Sequence, residues 1–332
     1  MRIQELIKRV QAQRLDELLI HEEANVLALT GVRCDNAFLR IRKTGTVLYT
    51  DFRYVPMVHR VAPELKTGDY RRLNLSGRRI GYESSVSCRM LESWRKRAPS
   101  ATFVDVSDEL AALRAVKTPE ELDRLRAAEK LNCEIWTEAS AQFRKGMTER
   151  DMARIIQKLM IDRGEGEAFS TIVSIGQNAA ECHHEPDLTV WNGREPVLVD
   201  MGVRLNGVCS DLTRNLTMSR RGLYGRVYRL VKEAHDAAIA AARPGIRAKD
   251  LDQVAREVIR RGGFGKCFGH SLGHGVGYEI HEAPTVSAKS KTVLEPGMVI
   301  TIEPGIYLEG NLGVRIEDMV VITNEGCELL SV

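Results

Sequence analysis

The sequence predicts an α/β protein of two domains: a small α/β domain, then a larger α+β domain built about a pseudo-two-fold axis. Three observations predict it. The chain has 332 residues, which at roughly 100–200 residues per domain suggests two. Its first ~110 residues alternate short strand-like and helix-like runs. The remainder reads as one unit written twice, each a helix, a strand and an acidic hairpin.

Val47-Leu48-Tyr49-Thr50, Ile80-Gly81-Tyr82 and Thr102-Phe103-Val104 are short runs rich in β-branched and aromatic residues and read as strands. Leu91–Arg97 reads as helix. A strong helix start follows at Thr118-Pro119-Glu120-Glu121, where Thr118 can cap, Pro119 suits the first helical position and Glu121 completes a capping box. Leu122, Leu125, Cys133, Trp136 and Phe143 then share one face, interrupted by Glu129. The domain boundary is placed just before this helix, giving domains over 1–114 and 115–332. The first unit of the second domain has a helix from Thr148 to near Gly164, the strand Thr171-Ile172-Val173 and a hairpin from Val197 to Asp211. The second has a helix from Lys249 to Arg261 stopped by Gly262-Gly263, the segment His270–His281 and a hairpin from Val299 to Asp318.

Composition narrows the function. A chain that is 43% apolar can bury a full core, so wholesale disorder is excluded. With 48 basic and 45 acidic residues the net charge is +3, no footprint for nucleic acid or an anionic membrane. No run approaches the ~20 apolar residues of a membrane helix. The seven cysteines are scattered, odd in number and never in a Cys-x-x-Cys pair. That pattern argues against a disulfide framework or a thiolate zinc site and for a reducing, cytoplasmic setting.

The chemistry is concentrated in the second domain. Six of the eight histidines (His183, His184, His235, His270, His274, His281) fall within one hundred residues. His235 sits in a helix-like run and reads as a surface residue. Asp200 ends an apolar strand and Asp211 follows the turn Asn206-Gly207, a hairpin signal. Pairing about that turn sets residue 200 opposite 213, so Asp200 and Asp211 point to one face as diagonal neighbours. Two carboxylates there repel unless a cation lies between them. Glu303 and Glu317, separated by a loop at Gly310-Asn311, repeat the arrangement. His274 lies between the hairpins, flanked by Gly273 and Gly275, which allow close backbone approach. Taken singly, each acid is a turn former, His281-Glu282 a solvated pair and Arg315 a surface arginine. Together, four carboxylates and one imidazole form a hard, oxygen-rich set sufficient for two divalent metals, Mn²⁺, Co²⁺ or Fe²⁺ ahead of thiolate-type zinc. Gly269-His270-Ser271-Leu272-Gly273 fits the pattern of a serine-hydrolase elbow, but a poor strand precedes it and glycines follow it.

These residues resemble a known family. The segment Phe169–Ala180 with His183, then Val199-Asp200-Met201-Gly202, Ser210-Asp211-Leu212-Thr213-Arg214, His270–Gly277, Ile280-His281-Glu282 with Pro284, Glu303-Pro304-Gly305-Ile306-Tyr307 and Gly313–Asp318 are similar to the pita-bread metallopeptidases. These are the prolidases (Xaa-Pro dipeptidases), aminopeptidases P and methionine aminopeptidases. The first domain resembles their creatinase-like N-terminal domain, carried by Asn25-Val26, Leu29-Thr30-Gly31, Asp51-Phe52-Arg53-Tyr54 and Leu113–Glu120. Methionine aminopeptidases usually lack it, which favours the proline-specific branch.

The resemblance implies a creatinase-like domain over 1–114, a pita-bread domain over 115–332 and hydrolysis of Xaa-Pro bonds in small proline-containing peptides. Prolidase is the first reading and aminopeptidase P, acting on longer peptides, the alternative. A non-catalytic peptide-binding module is the remote one. It implies two divalent metals, Mn²⁺ first with Co²⁺, Fe²⁺ or Zn²⁺ as alternatives, held by Asp200, Asp211, His274, Glu303 and Glu317, with Asp211 and Glu317 bridging. Glu303 would also be the general base. His183 and His281 would hydrogen-bond substrate, while His270, Tyr307 and Arg315 would line the substrate end. A homodimer, no nucleic acid and no membrane are implied as well. Cys182 departs from the family, standing where proline usually precedes the first histidine, and Asn215 replaces a common threonine.

Overall fold

The structure is a computed structural model that describes residues 2–217 and 221–331. Contacts divide the chain into two units, Met1–Arg114 and Ala115–Val332.

The first unit contains α1 (Arg2–Arg9), β1 (Glu17–Ile20), α2 (Glu23–Thr30), β2 (Ala37–Arg42), β3 (Gly45–Thr50), α3 (Val55–Val61), β4 (Lys66–Asp69), β5 (Arg79–Tyr82), α4 (Cys88–Arg97), β6 (Thr102–Asp105) and α5 (Ser107–Ala115). Its six strands form one mixed sheet in the order β4-β3-β2-β1-β5-β6. Strand alternation explains why β1 is buried on both faces. Leu18 and Ile20 join one apolar cluster with Leu6, Val26 and Leu39, whereas Leu19 joins the other with Phe38, Ile80 and Trp94.

The second unit begins with α6 (Pro119–Ser140), followed by α7 (Glu149–Arg163), β7 (Ile172–Ile175), β8 (Val197–Met201), β9 (Arg204–Leu205), β10 (Val208–Cys209) and β11 (Leu212–Leu216). It continues with α8 (Gly222–Ala241), α9 (Ala248–Arg261), β12 (Gly273–Gly275), β13 (Glu282–Val286), β14 (Val299–Ile302), β15 (Gly305–Leu308), β16 (Leu312–Arg315), β17 (Asp318–Ile322) and β18 (Cys327–Leu329). Both opening helices carry capping boxes, Thr118 with Glu121 and Thr148 with Asp151. Such a cap is worth about 1 kcal/mol and fixes where each helix starts. The sheet β11-β8-β7 shares a core with α6 and α7. The five strands β13-β12-β14-β17-β18 share another with α8 and α9. A bridge between Thr213 and Glu317 joins the two halves.

Three local expectations need correction. The helix opened by Thr118 ends at Ser140, so Phe143 lies beyond it, although it still packs in that half's core. Glu129 does not break the apolar face towards solvent; it is fully buried, accepting from Ser331 Oγ (2.5 Å) and from the Asp211 amide (3.2 Å). His235 is not at the surface: it is 3% exposed, with Nε2 2.9 Å from Asp318 Oδ2. Among the described residues, no helix is long and apolar enough to cross a membrane.

Candidate metal centre

Each half of the second unit brings two carboxylates to the centre, Asp200 from within β8 and Asp211, Glu303 and Glu317 from breaks between strands. In the first half, β8 pairs with β11 in the register Asp200–Thr213. The turn between β9 and β10 uses Asn206 and Gly207, both at positive φ (52° and 77°), as a tight hairpin turn requires. At Gly202 a Cβ would lie 2.2 Å from the Ser210 carbonyl oxygen, so only glycine lets the strands close there. Asp211 sits in the gap between β10 and β11.

In the second half, the hairpin predicted as one ladder is two. β14 pairs with β17 up to Ile302–Asp318, and β15 pairs with β16 from Gly305–Arg315. Glu303 and Glu317 occupy the break, freed from the regular ladder. His274 is the middle residue of β12. A Cβ on Gly273 would meet the Thr301 oxygen at 2.0 Å, and one on Gly275 the Ala283 oxygen at 2.2 Å. Glycine at both positions therefore lets β12 wedge between its neighbours.

The donor atoms converge. Ligand atoms of Asp211, His274 and Glu317 lie within 4.8 Å of one another. His274 Nε2 is 3.5 Å from Asp211 Oδ2 and 3.4 Å from Glu303 Oε1. A cavity of about 530 Å³ is lined by these four residues, Asp200, His183, His270, His281, Tyr307, Arg315 and Cys182 among others. All of the site residues expected from the sequence therefore meet in one cavity. Arg315 is buried, not superficial. It donates to Asp200 Oδ2 (2.5 Å), Tyr307 Oη (2.9 Å) and Thr213 Oγ1 (3.0 Å). Thr213 in turn donates to Glu317 Oε2 at 2.6 Å. Glu282 is also buried and not solvated; it pairs with Lys117.

The imidazole tautomers follow from carbonyl neighbours, which can only accept. His270 Nδ1–H donates to the Ser271 carbonyl (2.7 Å), so Nε2 accepts from the Tyr307 hydroxyl at 2.9 Å. His274 Nδ1–H donates to the Gly275 carbonyl at 3.1 Å, leaving the Nε2 lone pair towards Asp211 and Glu303. Burial holds both imidazoles neutral, their pKa values pushed down to about 4; beside His274 the His281 ring adds to it. The acids move the other way. Burial, with the Glu317, Asp200 and Glu303 charges, lifts Asp211 well above the usual carboxylate range. Glu317 is raised by burial and by Glu303 and Asp200. Glu303 is pushed up to about 8 because burial outweighs the relief from Arg315, with the Asp200 charge adding a smaller push.

This donor set fits divalent cations. A neutral imidazole lone pair aimed at two carboxylate oxygens is repulsive unless a cation, or a proton on one of the acids, lies between. Asp200 Oδ1 is buried without a hydrogen-bond partner among the described residues. His274 is oriented through its other nitrogen, as metal-ligating histidines are.

The supporting residues Thr213, Thr301, Glu129 and Glu149 escaped the sequence reading. Thr301 Oγ1 accepts from the His274 amide (3.1 Å) and donates to Glu303 Oε1 (3.3 Å). The one sequence signal among them was Glu129, an acid on an otherwise apolar helix face.

Residues 123–324 match the sequence profile of metallopeptidase family M24, and residues 2–116 that of the creatinase/prolidase N-terminal domain. The chain is 34% identical over 343 residues to an Xaa-Pro dipeptidase of Pyrococcus furiosus, covering 99% of this chain and 97% of that one. The crystal structure of the prolidase from Pyrococcus horikoshii OT3 superposes with a TM-score of 0.95 at 32% identity, covering 100% and 98% of the two chains. An X-Pro aminopeptidase from Thermotoga maritima superposes with a TM-score of 0.89 at 30% identity, covering 98% and 97%.

Proposed function

This chain belongs to metallopeptidase family M24, and we propose that it hydrolyses the Xaa-Pro bond of dipeptides with two divalent metal ions. The observation that carries the metal assignment is the His274 Nε2 lone pair set 3.5 and 3.4 Å from the oxygens of Asp211 and Glu303. The Xaa-Pro preference rests on full-length similarity to proteins named Xaa-Pro dipeptidase or prolidase.

Asp200, Asp211, His274, Glu303 and Glu317 would hold the ions, with Asp211 and Glu317 shared between them. Their hard, oxygen-rich character favours Mn²⁺, with Co²⁺, Fe²⁺ and Zn²⁺ as alternatives. When bound, the metals supply Lewis-acid polarisation and a nucleophile available near neutral pH. The protein's own groups do the rest. Glu303 takes a proton from the attacking water, an assignment that fits its place beside His274 and Thr301. His183 and His281 face the cavity and donate hydrogen bonds to the substrate carbonyl as charge develops there. Tyr307, held between His270 and Arg315, shapes the end of the cavity that takes the proline ring. A bond to proline offers no N–H, so recognition rests on ring shape and on polar groups at the two ends.

The experiment is hydrolysis of Ala-Pro and Ala-Pro-Ala followed by mass spectrometry, with Mn²⁺ and with a chelator. Chelator-sensitive loss of Ala-Pro alone is the expected result. Cleavage of Ala-Pro-Ala would favour the aminopeptidase reading, which the Thermotoga maritima superposition supports. The cytoplasmic, homodimeric setting belongs to the same proposal. Seven free cysteines support the first part, and the family resemblance supports the second.

A further inference from the structure

Glu149, the first residue of α7, is a carboxylate with no solvent exposure. Four groups donate to it. Oε1 accepts from the Ile175 amide (2.7 Å) and Asn178 Nδ2 (2.9 Å). Oε2 accepts from His184 Nε2 (2.7 Å) and the Asp187 amide (3.0 Å). These donors come from the end of β7, the 3₁₀ turn Gly176–Ala180 and the loop after it. One buried side chain thus gathers the segment 175–187 onto the start of a helix. The main chain adds two bonds, Glu149 N–H to the Thr189 carbonyl and Arg150 N–H to the Asp187 carbonyl, both 3.2 Å.

His183 belongs to that segment. Its ring is exposed and lines the cavity, whereas His184, one peptide bond away, is buried against Glu149. Holding His184 therefore sets where His183 can point. Glu149, His184 and Asp187 have ligand atoms within 4.8 Å of one another, the spacing of an ion site. Both Glu149 oxygens already accept two bonds, however, and Asp187 Oδ1 accepts from the Thr189 amide at 2.6 Å. The cluster is satisfied without a cation.

We infer that Glu149 is a positioning residue for His183, acting through the clamp on Ile175, His184 and Asp187. The inference rests on the proposed role of His183 toward substrate. Its test is a double-mutant cycle on Ala-Pro hydrolysis with Glu149→Gln, His183→Ala and the pair, alongside metal content and thermal unfolding. Glu149→Gln should lower kcat roughly 10- to 100-fold with KM little changed, as a misplaced group does. It should keep the same metal content as the parent. In the His183→Ala background the same substitution should change kcat less than about twofold, because its target is gone. An equal loss in both backgrounds, loss of metal, or parental kcat in folded Glu149→Gln would overturn the inference. Parental turnover in His183→Ala alone would instead overturn the reading of His183, and this one with it. If Glu149→Gln does not fold, His184→Asn takes its place in the cycle with the same criteria.

Discussion

His183 and His281 face one cavity, and the chain secures them by different means. The His183 segment is tied by a single carboxylate that collects four hydrogen bonds, one from an imidazole. The His281 segment is tied by a charge pair: Glu282, next in sequence, meets Lys117, and both side chains are buried. The pseudo-two-fold relation between the sheets does not extend to these anchors. A distributed network tolerates the loss of one bond better than a buried ion pair tolerates the loss of one partner.

That difference sets the order of expected effects. Lys117→Met leaves the Glu282 charge without its lysine in the interior and should cost about 3–5 kcal/mol in urea unfolding. A cost below about 1 kcal/mol would show that the pair is not the main tie on the His281 segment. Gly313→Ala comes next. Its Cβ would lie 1.7 Å from the Ala179 carbonyl oxygen, a backbone atom that cannot yield without moving the 3₁₀ turn. Overpacking of this kind should cost about 3 kcal/mol and lower turnover through the His183 segment. Gly277→Ala should cost less, about 1–2 kcal/mol, since its Cβ would meet the Glu282 carboxylate tip at 2.3 Å and only the ion pair must shift. Equal unfolding midpoints for the two alanine variants would contradict that ranking.

The smallest effect is a pH dependence confined to the first anchor. Burial pushes the His184 imidazole down, but the Glu149 and Glu181 carboxylates outweigh it and hold it above its ordinary value. The folded protein thus binds this proton more tightly than the unfolded chain. The resulting stability is fully present below the unfolded pKa of about 6.5 and is lost as pH rises through the folded one. The gap in Tm between the parent and His184→Gln should be wider near pH 5.5 than near pH 9. The Lys117→Met gap should not narrow in step, because that anchor contains no imidazole. A His184→Gln gap that is constant across the range would show that no proton is linked to this anchor.

What was legible in the chain follows range in sequence. The Asp200–Thr213 pairing could be read because one short turn, Asn206-Gly207, sets the register of residues close in sequence. The capped helix starts at Thr118 and Thr148 could be read for the same reason, since each cap is complete within four residues. The meeting of Asp211, His274 and Glu317 could be anticipated from repeated acidic hairpins around a glycine-flanked histidine. The anchors could not. Glu149 reaches 35 residues to His184, and Lys117 reaches 165 residues to Glu282. Neither carries a local pattern that separates a buried charge from a solvated one. His235 was misplaced at the surface for that reason, because its partner Asp318 lies on another element. The split of the second hairpin did have a local signal that went unread, since Pro304-Gly305 directly after Glu303 interrupts the strand pattern.

The most direct test of the central claim is a metal titration of the chelator-stripped protein, following Ala-Pro turnover and bound metal together. The account predicts no turnover without metal, saturation at two ions per chain, and loss of both binding and turnover in Asp211→Ala. Full Ala-Pro turnover by metal-free protein, or unchanged metal binding and turnover in Asp211→Ala, would contradict it.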